Sequence, residues 1–351
     1  MSAVRLKDIA SVAGVDIGTV SHVLNHRPKA SLLRPETRAR IERIAQDLGY
    51  CRNELAASVS RCRSKVLALV SAEMGSIEYT GRVQNGVFDA ASDLDYAVTL
   101  YHLNSHNEDR IIRKILGWRT AGVVFHLSGL EQATKLQSAL QQQGIAYGFA
   151  NLSHPGGMGV TTDDQQGIFA AVQHLRDCQC QNPAFFTYRS SSKTAASEYL
   201  LRRESAYRQA LTKFFPGAKD FFLFADGLSS VSAERQQLLA NLQLIKANFI
   251  DGIICASDML AFKLLQLLPL SGLQVPADFR LIGFGDLALA SLCQPNLSSI
   301  AQNFELMGGK ITQMLIASIE NKISKTTLTD LLLPVELVLR ESSPSPNQGV
   351  Q

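Results

Sequence analysis

The chain opens with apolar residues at helical spacing and changes, after about residue 65, to short apolar runs alternating with helical stretches. In LKDIASVAGVDIGTVSHVLN (residues 6–25), Leu6, Ile9, Ala10 and Ala13 share one helical face. Ile17, Val20, Val23 and Leu24 share another. Gly14 breaks the pattern where a left-handed backbone is easy only for glycine. Asp16 suits the N-cap of the second helix. Ala10 and Gly14 are small where two crossing helices would touch. This is the sequence form of a helix-turn-helix, whose second helix would enter a DNA major groove with Ile17, Gly18, Thr19, Ser21 and His22 on or near its exposed face. An ordinary helical hairpin shares the pattern. After a polar connection, Pro35-Glu36-Thr37 opens a third helix to about Leu48, with Ile41, Ile44, Ala45 and Leu48 inward and Gly49 as its stop. Asn53 can cap a short Ala/Ser-rich helix at 54–60. Such a helix is too short to hold alone in water, so it would order only on binding something.

Eight strands are expected: 66–71, 97–103, 122–127, 145–151, 183–188, 220–225, 252–257 and 279–285. Helices are expected at 81–94, 107–117, 131–143, 164–177, 198–214, 232–248, 258–270 and 303–320. Alternation at this spacing predicts two doubly wound parallel sheets wrapped by helices. Ligands in such folds sit beyond the carboxyl ends of the strands. The Pro/Ser-rich end, 341–351, reads as disordered.

Charge separates the two regions. Residues 1–64 hold 11 Lys and Arg against 6 Asp and Glu, whereas the remainder holds 23 against 25. A basic excess confined to the helical head is the footprint of phosphate neutralisation. No apolar run reaches the length of a membrane span, and MSAVRLKDIA has no continuous apolar segment of secretory type, so no membrane partner and a cytoplasmic location are expected. Cys178 and Cys180 form a lone Cys-x-Cys without the further ligands of a zinc site. Cys255 reads as core. SAEMGSIEYTG after the first strand is no phosphate loop, and no G-x-S-x-G or metal cluster occurs. No enzyme activity, catalytic residue, metal or cofactor is expected.

The ordered motifs resemble the LacI/GalR family of bacterial transcriptional regulators across residues 4–340. LKDIASVAGVDIGTVSHVLN is similar to the family's helix-turn-helix, and RPETRARIERIAQDLGYCRN (34–53) to the segment closing its headpiece. VTTDDQQG (160–167) resembles D-N-x-x-G, RRESAYRQAL (202–211) R-x-x-G-F-x-x-A-L, and CASDMLA (255–261) C-A-N-D-x-x-A. LIGFGD (281–286) and QPNLSSIAQN (294–303) resemble V-G-F-D-D and P-x-L-T-T-I-x-Q, and LLLPVELVLRES (331–342) the family's closing strand.

The resemblance implies a small all-α helix-turn-helix headpiece (1–52) and a hinge helix with linker (53–65). It further implies a periplasmic-binding-protein-like α/β core of two subdomains, 66–177 plus 303–331 and 178–302 plus 332–340. It implies double-stranded DNA with a near-palindromic operator as partner, a homodimer, and a small sugar-like effector. DNA contacts would come from Leu6, Lys7, Ile17, Gly18, Thr19, Ser21, His22 and Asn25. Asn53, Ala56, Ala57 and Val59 would pair with a second hinge in the minor groove. Ala72, Glu73, Asp163, Arg203, Ser257, Gly285 and Phe304 would face the effector.

Departures from the family pattern shape the specificity. Asp16, Gly18 and His22 stand where Ser, Ala and Arg are usual, so the bidentate guanine reader is missing. Val59 is a smaller wedge than the usual leucine. Ser257 and Gly285 replace an Asn and an Asp of the effector pocket. That leaves Arg203 with less anionic company, which favours an anionic sugar derivative. A structural salt bridge is the other role open to Arg203. Asp163 and Asp258 suit helix caps better than ligand contacts. The residues after Arg340 lack leucine heptads, so a dimer is expected rather than a four-chain assembly. The expected function is a dimeric repressor of carbohydrate-utilisation genes. Control by a protein corepressor, ligand-independent repression, and a solute-binding protein without DNA activity are the other readings.

Overall fold

A computed structural model of the chain describes residues 4–25, 27–51, 64–73, 77–154, 158–189, 197–225, 231–320 and 330–345. The chain divides into two compact units, Met1–Ser64 and Lys65–Gln351.

In the first unit, α1 (Leu6–Ala13), α2 (Ile17–Leu24) and α3 (Pro35–Asp47) bury Ile9, Ala10, Ala13, Val20, Val23, Ile41 and Ala45 against one another. Gly14 ends α1 at φ +63°, in the left-handed region. The Asp16 carboxylate accepts from Thr19 N at 3.0 Å and caps α2. The polar connection contains a 3-10 turn, Pro28–Leu32, that adds Ala30 to the core. The hinge positions Asn53, Ala56, Ala57 and Val59 lie outside the described residues.

The second unit holds two six-stranded sheets. In the first, β1 (Val66–Ser71), β2 (Ala97–His102), β3 (Gly122–His126), β4 (Ala146–Ala150), β5 (Gly159–Thr162) and β11 (Leu331–Leu333) run in the order β11-β5-β4-β3-β1-β2, all parallel. In the second, β6 (Pro183–Tyr188), β7 (Phe222–Ala225), β8 (Gly252–Cys255), β9 (Arg280–Gly285), β10 (Ser298–Ala301) and β12 (Glu336–Val338) run β12-β10-β9-β8-β6-β7. Among the described strands only β12 is antiparallel to its neighbour, β10.

All eight expected strands form. Two strands the hydrophobic pattern passed over, β5 (GVTT) and β10 (SSIA), are four residues long and rich in Ser and Thr. The expected single closing strand is two. Pro334, which cannot donate to a ladder, stands between β11 in the first sheet and β12 in the second.

The helices are α4 (Glu78–Asp93), α5 (Glu108–Gly117), α6 (Thr134–Gln142), α7 (Asp164–Asp177), α8 (Glu198–Phe214), α9 (Val231–Ala247), α10 (Asp258–Ser271) and α11 (Phe304–Ile319). The first sheet is packed by two clusters, around Val87, Val124 and Ile311, and around Ile115, Phe125 and Leu136. The second is packed by one, around Phe185, Tyr207 and Ile254. Ile168, Ala171, Val172 and Leu175 of α7 belong to that cluster. The expected boundary at residue 177 is therefore wrong: α7 packs on the second sheet, and the chain leaves the first sheet after Thr162. The boundary at 331 moves likewise, since β11 completes the first sheet through Leu333.

The chain passes between the sheets at three places, after β5, after β10 and at Pro334. On the first sheet α4 and α11 cross closely. A Cβ on Gly86 would stand 2.0 Å from Glu305 O, and one on Gly308 2.1 Å from Val83 O.

Expected disorder from residue 341 is corrected for 341–345. Ser342 and Ser343 are fully buried. Ser342 Oγ donates to Leu281 O at 2.6 Å and accepts from Ser298 N at 2.8 Å, while Leu281 N donates to Ser342 O at 3.0 Å. Small hydroxyl residues here complete the sheet's backbone bonding, which composition alone does not reveal.

Candidate DNA-binding face and ligand cavity

On the first unit, Lys7, Ile17 and Gly18 are exposed, and Leu6, Thr19, Ser21, His22 and Asn25 are half-buried. Several expected readers are already engaged. Thr19 Oγ1 donates to Asp16 Oδ2 at 2.6 Å, so its hydroxyl is part of the cap. Those bonds from Thr19 hold the Asp16 carboxyl below its ordinary range. Asn25 Nδ2 donates to Ser21 O at 2.7 Å and to Ser21 Oγ at 3.1 Å. His22 Nδ1 is enclosed without a partner. Ile17, half-exposed at the start of α2, presents apolar surface beside Gly18.

In the second unit a cavity of about 340 Å³ lies between the two sheets. Five polar side chains line it: Glu73, Asn151, Arg203, Ser257 and Gln302. So do five rings, Tyr79, Tyr188, Tyr199, Phe284 and Phe304. Most polar members sit at or just past the carboxyl ends of strands. Glu73 follows β1, Asn151 β4, Ser257 β8 and Gln302 β10, as the topology requires. Asn151 Oδ1 and Ser257 Oγ are buried and have no hydrogen-bond partner. Such atoms are costly unless a ligand or water satisfies them. Gly285 lines the cavity at φ +131°, where a side chain would be strained.

Glu73, Arg203, Ser257, Gly285 and Phe304 are brought together as lining residues. Ala72 and Asp163 are not among them. Ala72 N donates to His126 O at 3.2 Å, and Asp163 caps α7 through Gln166 N at 2.9 Å. Asp258 does not cap its helix: Oδ2 accepts from Leu287 N at 2.7 Å and Oδ1 from Ser299 Oγ at 2.5 Å, tying α10 to the ends of β9 and β10. Burial raises its pKa to about 6.

Arg203 is buried and sits in a closed polar ring at the crossings. Nη1 donates to Ala256 O at 2.6 Å and Nη2 to Gln302 Oε1 at 3.1 Å. Gln302 Nε2 donates to Thr162 Oγ1 at 2.7 Å, and Thr162 Oγ1 to Asp164 Oδ1 at 2.8 Å. Asp164 Oδ2 closes the ring as an ion pair with Arg203, 3.5 Å from a buried Nε that has no hydrogen-bond partner, and also pairs with Arg202 at 3.2 Å. The expectation that Arg203 lacks anionic company is therefore corrected. Asp164, buried beside it, supplies the charge that the residue at 285 does not, and the argument for an anionic ligand falls with it.

Contacts also bridge the cleft mouth. Ala288 N donates to Glu78 at 2.9 Å, and Ser153 N to Glu198 at 3.2 Å. Arg82 holds Glu305 through two bonds of 2.7 and 2.9 Å and reaches Asp286 O at 3.5 Å. Sequence reasoning missed the tyrosines, Asn151 and Gln302. The rule that ligands gather past strand ends would have found Asn151 and Gln302; the tyrosines carry no local signal. Among the described residues no helix is long and apolar enough to cross a membrane, and no group of three potential metal ligands occurs.

Residues 5–53 match the family model of bacterial regulatory proteins of the lacI family, and residues 172–343 that of the periplasmic binding protein-like domain. The chain is similar to the HTH-type transcriptional regulator GalR of Streptococcus thermophilus, with 28% identity over 343 residues, 96% of this chain and 99% of that one. It is similar to the HTH-type transcriptional regulator CelR of Thermobifida fusca, with 27% identity over 355 residues, covering 96% and 97%. Its fold is that of the lac repressor dimer bound to operator and the anti-inducer ONPF, at TM-score 0.80, 21% identity and coverage of 98% and 100%. A CelR–cellobiose complex superposes at TM-score 0.67 with 25% identity, covering 97% and 99%.

Proposed function

Since the chain belongs to the lacI family of bacterial regulatory proteins and is a DNA-binding transcriptional regulator, we propose that it acts as a dimeric repressor of carbohydrate-utilisation genes. A small sugar-like effector in the cavity would change its operator affinity. The observation that carries this reading is the cavity itself. It combines unsatisfied polar atoms of Asn151 and Ser257 with ring faces, the pairing that suits a molecule with hydroxyl edges and apolar faces. The similar solved structure of a transcriptional regulator CelR–cellobiose complex supports the same ligand class.

DNA recognition would use the α2 face with Lys7, Ile17, Gly18 and His22, and two hinges around Val59 meeting at the operator centre. Ligand would favour one relative arrangement of the two sheets, and the hinge pair would meet in the minor groove in only one of them. The ligand then shifts the equilibrium by its preference for one state, and operator and ligand affect each other reciprocally.

Selection of binding sites from randomised duplex DNA by the full-length chain, followed by a thermal-shift screen of sugars and sugar derivatives, tests the reading. A near-palindrome and at least one stabilising sugar are expected. Recovery of a single half-site contradicts the dimer. A melting point unmoved by every sugar contradicts the effector class and favours a protein corepressor.

A further inference from the structure

The cavity contains one carboxylate that no cation among the described residues neutralises. Glu73 is half-buried, and its Oε2 accepts from the Tyr79 hydroxyl and from Thr80 Oγ1 at 3.3 Å, both neutral donors. The cation that lines the cavity, Arg203, and those that touch or neighbour other lining residues, Arg82, Lys263 and Arg340, each have an acidic partner of their own. Arg203 is paired with Asp164 at 3.5 Å, Arg82 with Glu305 at 2.7 Å, Arg340 with Asp286 at 2.7 Å, and Lys263 with Glu234.

The aromatic lining is divided in the same way. Arg203 already lies over Phe284, 3.5 Å from its centroid, and over Tyr199 at 4.9 Å. Arg82 lies over Phe304, 5.2 Å from its centroid, and Lys263 over Tyr188 at 5.6 Å, so Tyr79, beside Glu73 and 5.8 Å from the Phe304 ring, is the cavity ring over which no cation lies among the described residues. A carboxylate beside ring faces, in a cleft that excludes much of the water, attracts a cation both by charge-assisted hydrogen bonding and through the ring quadrupoles. The unpartnered polar atoms of the other lining residues, Asn151 Oδ1, Ser257 Oγ and Arg203 Nε, suit hydroxyl partners, which both donate and accept.

We infer that the effector is an amine-bearing polyol, of the amino-sugar class, with its ammonium on Glu73 and its hydroxyls toward Asn151, Ser257 and Arg203. This rests on reading the cavity as the effector site, and it narrows the class that reading left open. The Arg203 ring is already neutral through Asp164, so the ligand need bring no anion. Glu73 is the group that asks for a charge, and the charge it asks for is positive.

Calorimetric titration of the full-length chain at about pH 6.5 compares glucosamine, galactosamine and mannosamine with their neutral parents and N-acetyl forms. One amino sugar is expected to bind at least tenfold tighter than its parent and its N-acetyl form. Glu73→Gln is expected to weaken that sugar about 10- to 100-fold, the range of a lost charged hydrogen bond, and the neutral parent by a smaller factor. Glu73→Asp, which keeps the charge, is expected to retain part of the preference. Equal or tighter binding of the neutral parents overturns the inference and leaves the sugar-sensor reading standing. An equal loss for both ligand sets in Glu73→Gln also overturns it. Binding by neither set overturns this inference, and the sugar reading falls with it only if the thermal-shift screen also finds no stabilising sugar.

Discussion

Arg203 and Asp164 lie 3.5 Å apart, both buried, where the chain leaves the first sheet for the second. The pair closes a ring through Gln302 and Thr162, residues at two of the three crossings between the sheets. Arg203 therefore faces the cavity while holding the crossing strands, so a ligand that moves it acts on the joint directly. Breaking a buried pair by removing one partner strands the other charge, at a cost of about 3–5 kcal/mol. Asp164→Ala should lower stability in urea by about 3 kcal/mol. Asp164→Asn combined with Arg203→Gln should lose less than the sum of the single changes. Strict additivity would show that the two side chains do not act as a unit.

Two buried titratable groups set opposing pH dependences. Burial lowers the pKa of His126 to about 4 and raises that of Asp258 to about 6. The unfolded chain protonates His126 near its ordinary value, so the stability from its neutral form is lost as pH falls from about 6.5 toward 4. Asp258 holds its proton longer when folded, so its contribution is largest in acid and is lost as pH rises from about 4 to 6. At about 1.4 kcal/mol per unit, each effect is on the order of 3 kcal/mol. Denaturation between pH 4 and 7 should show acid destabilisation deepened in Asp258→Asn and relieved in His126→Gln. Identical pH profiles for the three proteins would contradict both assignments.

The crossing of α4 and α11 admits no side chain at either glycine. A Cβ at Gly86 or Gly308 would meet main-chain carbonyl oxygen at 2.0 or 2.1 Å. Gly86→Ala and Gly308→Ala should each destabilise by about 1–3 kcal/mol despite alanine's better helix propensity. A raised melting point for either would mean that the helices separate freely.

On the proposed DNA-binding face, Asp16 caps α2 and carries an exposed carboxylate. Asp16→Ser keeps a capping oxygen and removes the charge. It should tighten binding to operator and to random DNA alike, and steepen the dependence on salt. Gly18 and Asp16 are coupled, since a Cβ at 18 would fall 2.8 Å from Asp16 Oδ1. His22→Ala should relax base preference at one position per half-site. An unaltered operator profile would remove His22 from the readers.

What the sequence made legible was mostly local. Gly14 and Asp16 act within a turn of their own positions, and both stand where the pattern placed them. Strong apolar runs such as VLALVS and PAFFTY became strands. GVTT and SSIA did not announce themselves: each is four residues long and half polar, and each is held between two strands, β4 and β11 for one and β9 and β12 for the other. The same limit governed the site. Asp163 and Asp164 are adjacent, yet one caps a helix and the other is buried against Arg203. Nothing in the order of residues separates those roles. Tyr79, Tyr188 and Tyr199 reach one cavity from α4, β6 and α8, a convergence only the fold creates.

Occupancy of the cavity is proposed to set operator affinity. Fluorescence anisotropy of the selected operator with the full-length chain, titrated with the stabilising ligand, tests it most directly when repeated on Ser257→Leu, which fills the cavity at an unsatisfied polar atom. At least a tenfold change in operator affinity is expected for the parent chain and none for the variant. A variant that still responds at the same ligand concentrations would contradict it, and would place the sensor elsewhere on the molecule.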